Sequence, residues 1–119
     1  MHKKILVVDD DYDILEPLTL ILESKNFEVE TTTKGKLVYS KISSFKPDIL
    51  LLDILISGSD GREICKNLKK DKKTEQLIVI MMSAHPNAKK DSEEIGADNF
   101  IAKPFETEEL LSLIGKYQE

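Results

Sequence analysis

An α/β domain built on a five-stranded parallel sheet is predicted by three features of the 119-residue chain. Apolar runs of strand length recur at residues 5–8, 49–52, 77–82 and 100–102, each followed at once by a polar residue. Between them lie stretches whose apolar residues return at helical spacing. Continuous rather than alternating apolarity is what strands covered on both faces require, and intervening helices supply the crossovers of a parallel sheet. A fifth, alternating segment at 27–32 completes the sheet at an edge.

Residues 3–8 form the first strand. Asp11 or Asp13 caps a helix that carries Ile14, Leu15, Leu18, Ile21 and Leu22 on one face. Pro17 fits that helix only if it begins near Asp13, where the missing N–H is almost one of the unpaired donors of the first turn. After the edge strand, a second helix runs through Leu37, Val38 and Ile42, and Pro47 ends the connection. Residues 49–55 are the most apolar run and belong at the sheet centre. Ser57, Gly58, Asp60 and Gly61 read as a loop, and Ile64, Cys65 and Leu68 mark a third helix. Residues 77–82 give the fourth strand. Only Ala88 and Ile95 are apolar between Pro86 and Gly96, so a fourth helix is weakly encoded. Residues 100–102 give the last strand, and Thr107, Glu109, Leu110, Leu113, Ile114 and Tyr117 a terminal amphipathic helix. Five βα units with no repeat, low-complexity stretch or linker make residues 1–119 a single domain.

Composition narrows the function. A 40% hydrophobic content is enough for one core covered by helices on both sides. The formal charge of −5 argues against nucleic acid or an anionic membrane as a direct partner. The apolar stretches are strand-sized and no signal peptide is visible, so the protein is expected in the cytoplasm. Cys65 is the single cysteine, which leaves no internal disulfide or cysteine zinc site and makes a small buried residue the simplest reading.

Ligand sites of parallel sheets lie beyond the carboxyl ends of the strands. Here those ends carry Asp9 and Asp10, Asp53, Ser83 and Lys103. Three carboxylates held together repel unless a cation joins them. Oxygen donors without histidine or cysteine suit Mg²⁺, an ion that bridges carboxylate to phosphoryl oxygen. Lys103 adds positive charge and Ser83 a hydroxyl, completing an electrostatic clamp for phosphoryl transfer. A carboxylate can itself be the nucleophile, forming an acyl phosphate. Asp53 ends the most central strand and is the candidate, while the adjacent Asp9 and Asp10 suit the metal.

These residues make the whole chain resemble the receiver domain of two-component response regulators, the chemotaxis-regulator-like family. The segments are VVDDD at 7–11, LLLDILISGSDG at 50–61, MMSAH at 81–85 and GADNFIAKPF at 96–105. The resemblance implies a flavodoxin-like doubly wound sheet of strand order 2-1-3-4-5. It makes Asp53 the phosphoacceptor and gives Mg²⁺ the ligands Asp9, Asp10, Asp53 and the backbone carbonyl of Leu55. Ser83 becomes the switch hydroxyl, Phe100 the switch aromatic, Lys103 the phosphoryl-contacting lysine, and Lys103–Pro104 a cis peptide. Implied partners are a sensor histidine kinase or histidine phosphotransfer protein, a downstream effector, and a second copy on phosphorylation. Such a domain is no enzyme beyond assisting its own phosphorylation and dephosphorylation. By the same resemblance, partner specificity is expected mainly on the first helix near Leu15, Thr19 and Leu22, and on the loop after Lys103.

Two departures from the family pattern stand out. Ser57 replaces the usual proline after the phosphoacceptor, and the interval from Ser83 to Gly96 is short, which points to a short fourth helix. Phe100 lacks the hydroxyl that many relatives carry as tyrosine, so it is expected to turn inward even without phosphate. Leu55 and His85 flank the water path of the family, and Leu55 offers that water no hydrogen bond.

Taken singly, each residue has a plainer reading. An aspartate at a strand end is commonly a helix cap or turn former, and Asp11, Asp13 and Asp60 are assigned so. His85 reads as an exposed loop residue and His2 as a terminal one without a role. Five residues of fitting type at strand ends in this order favour the receiver reading. A haloacid-dehalogenase-like phosphatase wants a second aspartate where Leu55 stands. A flavodoxin-like electron carrier wants a phosphate-cradling loop where Asp9, Asp10 and Asp11 stand. A phosphorylation-independent pseudo-receiver, an interaction module on the same fold, is the remaining alternative.

Overall fold

The computed structural model describes residues 3–56 and 58–117. His2 and Ser57, and the expectations attached to them, lie outside the described residues. Strand β1 (Lys4–Val8) leads into helix α1 (Tyr12–Ser24), then β2 (Glu28–Thr32), a 3-10 turn (Gly35–Leu37) and α2 (Val38–Phe45). Next come β3 (Ile49–Asp53), a hairpin of β4 (Leu55–Ile56) and β5 (Ser59–Asp60), and α3 (Gly61–Lys70). The chain continues through β6 (Ile78–Ser83), α4 (Ala88–Glu94), β7 (Asn99–Ala102) and α5 (Thr107–Gly115).

The main sheet is parallel, in the order β2-β1-β3-β6-β7. Counting the five long strands alone, this is the expected 2-1-3-4-5, with the 49–53 run at its centre. The unbroken apolar runs are split by the pleat into two layers. Leu6, Val8, Leu50, Leu52, Val79 and Met81 pack with residues of α2, α3 and α4. Their alternates Ile5, Val7, Ile49, Leu51, Ile80 and Met82 pack with α1 and α5. Leu50, Leu51 and Leu52 are wholly buried, and each such side chain is worth about 1.5–3 kcal/mol of transfer free energy.

Asp11 caps α1, its carboxylate accepting from the Asp13 amide at 2.9 Å, so the helix starts at Tyr12. That start lies beside Asp13, as Pro17 requires, and leaves Pro17 inside the helix just past its first turn. The helix continues through it because packing of Leu15, Leu18 and Leu22 outweighs one absent backbone bond. Asp60, expected in a loop, instead pairs with Leu55, and Ser59 beside it with Ile56. Helix α4 has only seven residues, as its sparse apolar pattern indicated.

Candidate functional site

In-register parallel pairing decides what meets at the carboxyl ends of the strands. Val8 pairs with Leu52, Asp53 with Met82 and Ser83 with Ala102. Asp9, Asp53, Ser83 and Lys103 therefore sit along one rim of the sheet. One carboxylate oxygen each from Asp9, Asp10 and Asp53 lies within 4.8 Å of the others.

Lys103 holds two of these carboxylates. Its ammonium donates to Asp9 Oδ2 at 2.5 Å and to Asp53 Oδ2 at 2.9 Å. The second oxygen of Asp9 accepts from the Asp11 amide at 3.0 Å, and that of Asp53 from the Leu55 amide at 3.2 Å. Asp9 is fully buried and Asp53 nearly so, whereas Asp10 is exposed. Burial pushes the Asp53 carboxyl above its ordinary pKa; the hydrogen bond and charge of Lys103 oppose the rise, and the charge of Asp9 adds to it. For Lys103, burial alone acts downward, but hydrogen bonds and charges from Asp53 and Asp9 hold it above its ordinary value. The two carboxylates thus keep Lys103 cationic despite its burial.

Ser83 is buried, and its Oγ accepts from the His85 amide at 2.9 Å, leaving its own proton to donate. The Lys103–Pro104 bond is cis. Phe100 is half-buried and packs against the α2–α3–α4 core layer. Gly61 starts α3 so close to β3 that a Cβ there would overlap the Asp53 carbonyl. Its amide donates to the Ile54 carbonyl at 2.7 Å, which seats the helix against the site.

The family model of the response regulator receiver domain matches residues 5–115. The chain belongs to this receiver family. Among solved structures, the receiver is similar to a protein from Chloroflexus aurantiacus J-10-fl assigned as a response regulator. The two are 32% identical, with a TM-score of 0.92 over 98% of this chain and 97% of that one. The signal receiver domain of a histidine kinase from Syntrophus aciditrophicus is 30% identical, with a TM-score of 0.87 over 96% and 88%. The BeF3-activated receiver domain of RstA from Klebsiella pneumoniae is 26% identical, with a TM-score of 0.88 over 96% and 97%. Receivers are signalling phosphoacceptor domains of two-component systems rather than enzymes in the ordinary sense.

Beyond the rim, this receiver sorts the other expected residues. Leu55 turns its side chain to solvent, 63% exposed, while its amide faces Asp53. His85 is an exposed loop residue whose Nδ1 accepts from the Asn87 amide at 3.2 Å. Asp60 caps α3 through the Arg62 amide at 2.9 Å. Cys65 is buried, and burial pushes its thiol up to about 11. Leu15 and Leu22 are core residues rather than partner contacts, because the face they share points into the α1–α5 layer. The outward face of α1 instead shows Tyr12 and Leu20, 73% and 63% exposed. No helix is long and apolar enough to cross a membrane among the described residues.

Sequence reasoning missed Arg62 and Asp91. Arg62 donates through Nε and Nη2 to both oxygens of Asp60, at 3.1 and 3.0 Å, and through Nη1 to Asp91 at 3.3 Å. Arg62 stands two residues after a helix cap, a spacing that hints at the first contact. Nothing in the sequence marks the second.

Proposed function

We infer that this receiver accepts a phosphoryl group on Asp53 and uses it to change a surface read by a downstream partner. The supporting observation is the convergence of Asp9, Asp10 and Asp53 within 4.8 Å, with Lys103 tying Asp9 to Asp53. The donor set is all carboxylate oxygen, and a single ammonium faces two buried carboxylates, which fits a hard divalent cation. Asp9, Asp10 and Asp53, with the backbone carbonyl of Leu55, would hold Mg²⁺. Bound there, the ion supplies positive charge against phosphoryl oxygens.

In this reading an Asp53 oxygen attacks the phosphorus of a phosphohistidine on a sensor kinase or phosphotransfer protein. The P–N bond breaks, and its electron pair stays with the imidazole. Lys103 moves from carboxylate to phosphoryl oxygen, and Ser83 donates its hydroxyl proton to another. Phe100, half-buried beforehand, turns further in as Ser83 shifts, and the surface around β7 changes with it. The domain spans residues 1–119, acts in the cytoplasm and pairs with an effector or a second copy once phosphorylated. A complete rim of Asp9, Asp53, Ser83 and Lys103 speaks against the pseudo-receiver alternative.

The test is incubation with acetyl phosphate and Mg²⁺, followed by intact mass, beside Asp53→Asn and an EDTA control. A phosphoryl adduct confined to the wild type with metal is expected. If neither an adduct nor beryllofluoride binding appears, Asp53 is not a phosphoacceptor.

A further inference from the structure

A small cavity of about 160 Å³ lies beside the rim, lined by Ile54, Leu55, Arg62, His85, Ala88 and Asp91. Ile54 and Leu55 directly follow Asp53, and His85 lies two residues beyond Ser83, so the inner wall of the cavity is built from the segments that carry the site. Its outer wall comes from α3 and α4, and the Arg62–Asp91 pair closes that wall at 3.3 Å. Arg62 is not a free surface arginine. Its guanidinium is gripped by both oxygens of Asp60, which also caps α3 through the Arg62 amide. Asp60 in turn pairs with Leu55 across the hairpin. The Asp60–Arg62–Asp91 chain therefore ties α4 to the arm that follows the phosphoacceptor.

We propose that the Arg62–Asp91 pair is a latch that limits water access to Asp53 through this cavity and so lengthens the phosphoryl lifetime. The proposal rests on the reading of Asp53 as phosphoacceptor. In the limited step, water adds its oxygen to phosphorus and the P–O bond to Asp53 breaks. The electron pair returns to the carboxylate, and the proton of the water leaves with inorganic phosphate. Arg62 and Asp91 touch none of these atoms; they are positioning residues, acting through the width of the cavity mouth. An ion pair between half-exposed groups is individually weak, but Asp60 has already fixed the rotamer of Arg62, which removes part of the entropy cost of the pair. Both α3 and α4 carry one partner, so loss of either side chain frees the same wall.

The experiment loads wild type, Arg62→Gln, Asp91→Asn, the double variant and Asp91→Glu with acetyl phosphate and Mg²⁺, removes the donor, and follows loss of the adduct by intact mass. Each single variant is expected to shorten the lifetime by about two- to fivefold, the factor an exposed ion pair is worth. The double variant should be no faster than Arg62→Gln, because Asp91→Asn has no latch left to remove once the guanidinium is gone. Asp91→Glu should restore the wild-type lifetime, which a loss of helix stability alone would not produce. Equal lifetimes in wild type and single variants, or effects that add in the double variant, overturn the latch while leaving Asp53 in its role. Absence of an adduct on the wild type itself overturns the phosphoacceptor reading, and the latch with it.

Discussion

Lys103 reaches Asp53 across 50 positions of sequence with a 2.9 Å hydrogen bond, while the same ammonium donates to the fully buried Asp9. One cation thus compensates two carboxylates from different strands. Replacing Lys103 with methionine leaves both without it. Removing one partner of a buried pair costs about 3–5 kcal/mol, and partial solvent contact at Lys103 places this case toward the lower figure. The expected result is a lower thermal midpoint in EDTA, and a larger recovery on adding Mg²⁺ than the wild type shows. A midpoint unchanged in EDTA would refute the compensation.

Burial works against the charged form of Asp53. Its pKa in the folded protein lies above the ordinary 3.8, with burial the leading cause. Between those two values the folded state holds the proton more tightly than the unfolded chain, so stability falls as pH rises through that window. Asn, neutral throughout, escapes the loss. In EDTA, Asp53→Asn should melt above wild type at neutral pH, and the gap should close as pH is lowered toward 3.8. Melting curves across that range decide it; a variant that melts lower at neutral pH contradicts the sign.

Leu55 places an exposed aliphatic side chain two residues beyond Asp53. It gives an approaching water no hydrogen bond, whereas asparagine would. One added hydrogen bond of about 1 kcal/mol corresponds to about fivefold in rate. Leu55→Asn should lose its phosphoryl group faster by about that factor, measured by decay of the adduct. A variant no faster than wild type excludes Leu55 from the water path.

Gly61 and Gly115 offer a contrast. A Cβ at Gly61 would meet the Asp53 carbonyl, a backbone atom that cannot swing aside, whereas nothing lies within 4 Å of one at Gly115. Gly61→Ala should cost about 1–3 kcal/mol as overpacking, and Gly115→Ala should stabilise by up to about 1 kcal/mol through unfolded-state entropy. Urea titrations of both variants check the pair. Equal effects would contradict the close approach of α3 to the site.

Cys65 is buried, and its thiol is raised to about 11, so almost no thiolate exists at neutral pH. Iodoacetamide should leave the native protein unmodified and alkylate it once in urea. Rapid native labelling would show that the α3 packing opens.

The fold and most of the rim were legible because both are written in local terms. Continuous apolarity over residues 49–52 states that β3 is covered on both faces, and a polar residue directly after each run states where each strand stops. Asp11 and Asp60 announce their caps in the same way, through a short side chain beside a helix start. Packing departs from the sequence reading where a helix residue had to be assigned a face. Leu15 and Leu22 went to the core layer rather than to a partner, and Pro17 was tolerated within α1 because tertiary burial outweighs one lost backbone bond.

The sequence by itself determined the residue types at the strand ends, because strand length and hydrophobic pattern are local properties of the chain. Only the tertiary structure decided the distances among them. Parallel register sets which strand ends share a rim, and that alone lets Lys103 touch both Asp9 and Asp53. The same holds for Arg62 and Asp91, 29 positions apart: their contact depends on how α3 and α4 lie across the sheet, which no periodicity in either helix encodes.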